Sequence, residues 1–145
     1  MKKLFLFFTL ALSLTLPVCA QGNNTTHEGN MKIKITVGNT VLTATLLDNA
    51  TARAFAAKLP LTLPMQDLYS RELVYRFSDP LPTDNVQTTG YTVGEIIYWP
   101  PRHSFVIMYA QNGERFSMQK VGRIDTSVEI FRNTGDVNIT FEVLE

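Results

Sequence analysis

From Met31 onward the chain alternates apolar and polar residues with a period of two. Met31, Ile33, Ile35 and Val37 fall on one side and Lys32, Lys34 and Thr36 on the other, the pattern of a β-strand with one buried face. Gly38-Asn39 then offers two residues suited to a tight turn, and the β-branched, apolar run Val41 to Leu47 follows. Together they predict a hairpin. Further strands are expected at Glu72 to Phe77, Glu95 to Trp99, Ser104 to Ala110, Arg115 to Met118 and Val137 to Val143. Only two short helices fit. One runs from Ala50 to Leu59, capped by Asp48 or Asn49 and stopped by Pro60 and Pro64. The other covers Thr126 to Asn133, where Thr126-x-x-Glu129 has the form of a capping box and Gly135 lies just past the end. A parallel doubly wound sheet needs a helix after almost every strand. This pattern therefore predicts a mostly β domain, an antiparallel barrel or rolled sheet whose open ends the two helices close.

The residues before Met31 have a different character. Lys2 and Lys3 precede a largely apolar run from Leu4 to Leu16, too short to span a bilayer and matching the n- and h-regions of an export signal. Residues 1–20 are accordingly read as a signal peptide, which places the protein in the periplasm or outside the cell. Cleavage after Val18-Cys19-Ala20 would start the mature chain at Gln21. Alternatively, Leu16-Pro17-Val18-Cys19 is a loose lipobox with Cys19 as the lipidated residue, and lipidation there is the one membrane attachment expected. Val18 is a poor residue immediately before a lipidated Cys, which favours free secretion. Residues 21–30 contain no aliphatic or aromatic side chain and read as a flexible linker holding a solvated His27. The domain proper is 31–145, a length suited to one folded unit.

The side-chain inventory excludes several classes of chemistry. The full chain balances 13 Lys plus Arg against 13 Asp plus Glu, so it lacks the basic excess with which nucleic-acid binders displace counterions. Cys19 is the sole cysteine, so no disulfide can form within the domain. A zinc site needs three or four His, Cys or carboxylate ligands. The domain offers His103 with no carboxylate nearer than Glu95, so no metal and no cofactor is expected. Asp79, Asp84, Glu95 and Asp125 show no spacing that favours a catalytic carboxylate pair, and Gly90-x-x-x-Gly94 lacks the ending of a phosphate-binding loop.

Four segments carry a resemblance: Gly94-Glu95-Ile96-Ile97-Tyr98-Trp99-Pro100-Pro101, Val121-Gly122-Arg123-Ile124, Leu59-Pro60-Leu61-Thr62-Leu63, and Thr134 to Glu142. In them the chain resembles the small bacterial cyclophilin-like domains over essentially all of 31–145. The resemblance implies a closed eight-stranded antiparallel β-barrel capped by two short helices, with the terminal strands paired. Where this family often has Gly after the two prolines, Arg102-His103 stands here, implying a stiffer, more polar loop. Fold likeness does not bring cyclophilin activity with it. The cyclophilin motif FHRxxPxFMxQGGD is absent. Its nearest echo is Val74-Tyr75-Arg76-Phe77, which makes Arg76 the candidate catalytic arginine, against a plain reading as a surface arginine on a half-buried strand.

Tyr91, Tyr98, Trp99, Phe105 and Tyr109 lie close together in sequence. Tyr98 and Trp99 are adjacent in a strand and must face opposite sides, so at least one packs into the barrel. A rim formed by Trp99, Arg102, His103 and Phe105, with Arg76, is the expected binding site for a peptide or small-molecule ligand. A divergent prolyl isomerase is the alternative, because rotation about an X-Pro bond asks only for an apolar pocket and a fixed guanidinium. A structural module docking a partner protein is the third.

Overall fold

A computed structural model describes residues 30–145. The segment 1–20 read as a signal peptide, with Cys19, and the stretch read as a linker, with His27, up to Gly29 lie outside the described residues. Nine strands follow one another: β1 (Lys32–Val37), β2 (Thr40–Leu46), β3 (Leu61–Leu68), β4 (Glu72–Arg76), β5 (Gln87–Thr89), β6 (Glu95–Trp99), β7 (Ser104–Met108), β8 (Phe116–Ile124) and β9 (Val137–Val143). Eight close into an antiparallel barrel in the order β2-β1-β9-β3-β4-β7-β6-β8, with β8 returning to β2. β5 adds a short ninth strand against β8. The terminal strands β1 and β9 pair with Ile35 opposite Phe141, as the resemblance implies.

The period-two pattern sorts directly into inside and outside. Ile33, Ile35 and Val37 of β1, Leu42, Ala44 and Leu46 of β2, and Ile139 and Phe141 of β9 point inward and are buried, while Lys34 on the outer face pairs with Glu142 at 2.9 Å. The helix α1 (Ala50–Ala56) closes one end of the barrel. Asn49 is its cap, its side-chain oxygen accepting from the Ala52 N–H at 2.9 Å. Phe55 drops into the barrel, its ring 4.2 Å from Phe105 and 5.4 Å from Phe141.

Three local expectations change. The helix ends at Ala56, short of the expected Leu59, and after Pro60 the chain forms β3, a strand absent from the expected set. Pro64 is tolerated because β3 pairs with β9 along Leu61–Met65 and with β4 only from Gln66 onward, so at Pro64 one edge of the strand needs no donor. The predicted short strand 115–118 extends as β8 to Ile124 and crosses Gly122. The second capping helix is a five-residue 3-10 turn, Glu129–Asn133, not an α-helix. Its capping box does not form: the Glu129 carboxylate pairs with Arg132 at 2.7 Å and its N–H donates to Ser127 at 3.3 Å. The turn still buries Phe131 against the core beside Tyr109.

Candidate functional site

Register sets the geometry of the site. Across three neighbouring strands Arg76 lies opposite Ser104, and Ser104 opposite Trp99. Two residues further along, Val74, Val106 and Ile97 form the next row. These rows face outward, because the alternating partners Leu73, Ile107 and Ile96 are core residues of the barrel. Val74, Ile97 and Val106 join Tyr91, Met108 and Met118 in a second apolar cluster outside the barrel, with Leu68 and Phe116 packed against it. Beside that cluster lies a cleft of about 270 Å³, with Val74, Ile97 and Val106 as its floor and Tyr69, Phe116 and Trp99 among its walls.

One wall is the loop after β7. Tyr91 holds it: its hydroxyl donates to Asn112 Oδ1 at 2.9 Å and accepts from the Asn112 N–H at 3.1 Å, while Gln111 Nε2 donates to the Tyr91 carbonyl at 2.6 Å. The loop delivers Glu114 to Arg71 at 2.7 Å, and Arg71 also contacts Glu72 at 2.9 Å. Burial alone would lower the Arg71 pKa, yet the hydrogen bond to Glu114 and the charge of Glu72 outweigh it and raise it. The Glu114 carboxyl is held below its ordinary value, first by the Asn112 side chain and then by Arg71. This end of the cleft is thus a closed ion cluster.

The opposite end is open. Arg76 Nη1 donates to Gln66 Oε1 at 3.1 Å, but its Nε is buried without a hydrogen-bond partner among the described residues. A buried donor left unmade costs about 1–3 kcal/mol. Arg102 ends the 3-10 turn Pro100–Arg102 and is exposed. Arg115 donates to the Thr88 carbonyl at 3.2 Å. On the far side of Arg76 a shallower hollow of about 520 Å³ reaches Gln66 and Asn138.

Backbone strain also gathers here. Among the described residues the non-glycine positions with positive φ are Tyr69 at 58°, Ser70 at 48° and His103 at 49°, and all three sit in the turns that flank the cleft. Non-glycine residues adopt this conformation at a cost, and such sites concentrate where ligands are held. His103 bonds back to the Pro100 carbonyl at 3.1 Å and accepts from Phe77 N–H at 3.0 Å, which turns the chain from Arg102 straight into β7.

Of the residues expected at the rim, Arg76, Trp99 and Arg102 line the cleft. His103 is not among the lining residues, and its backbone shapes the adjoining turn. Phe105 belongs elsewhere: Ser104 faces outward, so its neighbour in the strand faces inward, and Phe105 is fully buried in the barrel against Phe55. Its removal from the site is a correction set by strand parity. The same parity places Tyr98 inside, its hydroxyl accepting from Leu81 N–H at 2.9 Å, and Trp99 outside. The floor residues Val74 and Ile97 could have been read from the sequence by stepping back two positions from Arg76 and Trp99. Arg71, Glu114 and Arg115 carried no such signal.

A model of the cyclophilin-like family matches residues 35–142. Among solved structures, the solution structure of a hypothetical protein from Archaeoglobus fulgidus is similar, with a TM-score of 0.65 at 18% sequence identity, covering 82% of this chain and 99% of that one. A likeness at that identity speaks to the fold. No curated protein matches the chain.

Proposed function

The chain belongs to the cyclophilin-like family, and from that premise we propose that the outer cleft of its barrel binds a peptide or a small ligand. The observation that carries this reading is the row Arg76–Ser104–Trp99 standing over the apolar floor Val74, Val106 and Ile97. An apolar hollow with a few convergent polar groups is the general form of a ligand site. Trp99 is the sole tryptophan of the chain, so its fluorescence reports on this cleft alone. Titration with the peptide Ala-Ala-Pro-Phe should shift and saturate the emission. An unchanged spectrum with this peptide and with small-molecule probes at millimolar concentration would overturn the proposal.

Prolyl isomerisation is the second reading, favoured by the incompletely bonded Arg76 beside an apolar floor. Amide resonance sets a barrier of ~18–20 kcal/mol, which a guanidinium can lower by donating to the prolyl nitrogen in the transition state. Without the FHRxxPxFMxQGGD strand, a proline cis/trans assay is expected to leave the uncatalysed rate unchanged. Acceleration that disappears in Arg76→Ala would move the assignment to the isomerase.

Export completes the proposal, supported by Lys2, Lys3 and the Leu4–Leu16 run. Intact mass of the exported protein should correspond to a chain beginning at Gln21 or at a lipidated Cys19. A product retaining residues 1–20 in the cytoplasm would refute it.

A further inference from the structure

Resting on the reading of the cleft as a binding site, we infer that its ligand carries a carboxylate, received by Arg76 and Arg102, on an apolar body that lies against Trp99. The argument is one of charge and donor count. Four guanidinium groups and two carboxylates line the cleft. Both carboxylates, Glu72 and Glu114, are engaged by Arg71. Arg76, Arg102 and Arg115 make no ion pair among the described residues. A local excess of positive charge therefore stands in a hollow of a chain whose formal net charge is +0.

The donor geometry narrows the anion. Gln66 occupies Nη1 of Arg76, and Nε has no partner. The side edge of the guanidinium, formed by Nε and Nη2, remains for an acceptor. That edge presents two parallel N–H groups, the number a planar carboxylate takes in a bidentate pair. Arg76 is one of the residues lining the cleft. Arg102, exposed at the end of its proline-braced turn, supplies a second cation. Val74, Ile97 and Val106 are themselves packed over, so the apolar surface open to a ligand is that of Leu68, Tyr69, Trp99 and Phe116, which favours an aliphatic or aromatic body.

The test uses probes that share a body and differ in charge: N-acetyl-phenylalanine against its amide, and Ala-Ala-Pro-Phe with a free carboxylate against its amide. Binding is read by Trp99 fluorescence and by calorimetry. The acids should bind about tenfold more tightly than the amides, and the preference should shrink as salt is raised. Arg76→Met and Arg102→Met should each weaken the acids about tenfold and leave the amides within about twofold, whereas Arg132→Met, remote from the cleft, should change neither. The wild-type salt titration needs no variant to fold, so the result stands even if Arg76→Met melts early. An acid preference in both scaffolds assigns a carboxylate of any origin, and one confined to the tetrapeptide assigns a peptide carboxyl terminus. Either supports the inference. Equal binding of acids and amides would leave the cleft standing and overturn the carboxylate. Displacement of the acids by equimolar inorganic phosphate would overturn it in favour of a phosphate. Failure of all four probes to bind would sink the cleft and the carboxylate together.

Discussion

Gly122 is expected to be the least replaceable glycine of the barrel. It sits where β8 returns to β2, opposite Leu46. A Cβ added there would stand 2.5 Å from the Thr45 carbonyl oxygen and 3.1 Å from both Cα and Cδ2 of Leu46. The first of these is backbone and cannot rotate away. Restoring ordinary contact requires the strands to part by about 1 Å, which carries an inter-strand N–H···O distance of ~2.9 Å to nearly 3.9 Å, beyond bonding range. The seam is short: three residue pairs, Ala44–Ile124, Thr45–Arg123 and Leu46–Gly122, flanked by bonds from Leu47 N to Val121 O and from Asp125 N to Thr43 O, each 2.8 Å. Losing one or two of these bonds costs roughly 0.5–1.5 kcal/mol each, and overpacking adds about 1–3 kcal/mol. Gly122→Ala should therefore destabilise by about 1.5–6 kcal/mol, lowering the melting temperature by roughly 5–35 °C in a domain of this size. Gly90→Ala is the control, since nothing lies within 4 Å of a Cβ at that position, and it should stay within about 0.5 kcal/mol. Thermal and urea melts followed by far-UV circular dichroism measure both. If Gly122→Ala melts with Gly90→Ala and wild type, the β2–β8 closure is not as described.

Ile35 and Phe141 face each other across β1 and β9 and are fully buried. Aspartate at either should abolish cooperative melting, because an unpaired buried carboxylate costs several kcal/mol against a total stability of ~5–15 kcal/mol. Tyr109 donates to Asp67 at 2.5 Å, and its pKa is pushed up to about 12, first by burial and then by that hydrogen bond. A raised folded-state pKa contributes stability that is complete below the ordinary tyrosine value of about 10 and is lost as pH climbs toward 12. Urea melts across that range should show this loss in wild type, and Tyr109→Phe should flatten that part of the profile. An unchanged alkaline slope in Tyr109→Phe would reject the Tyr109–Asp67 coupling.

Much of the barrel was legible because strand alternation is local. Ile33, Ile35 and Val37 declare a buried face without reference to any other strand, and Gly38 takes a φ of 55° at the turn that follows. β3 was hidden because Pro64 normally marks a break, and it is a break only where both edges of a strand need donors. The second helix failed differently: Thr126-x-x-Glu129 satisfies a local rule, but Glu129 turns to Arg132, and the segment forms only the 3-10 turn Glu129–Asn133 that buries Phe131.

By itself, the sequence determined that the domain is built of antiparallel strands, that it holds no disulfide, and that Arg76 and Trp99 are notable side chains, since each of these follows from residue type and nearest-neighbour pattern. Tertiary structure decided the rest. Parity within β6 and β7 was fixed only by their pairing, which sent Tyr98 and Phe105 inward and left Trp99 and Ser104 outside. Glu114 reaches Arg71 across 43 positions, and Arg76 meets Trp99 only through the intervening Ser104 of β7. Such convergence depends on register between strands distant in the chain, and a local pattern carries no information about register until the barrel closes.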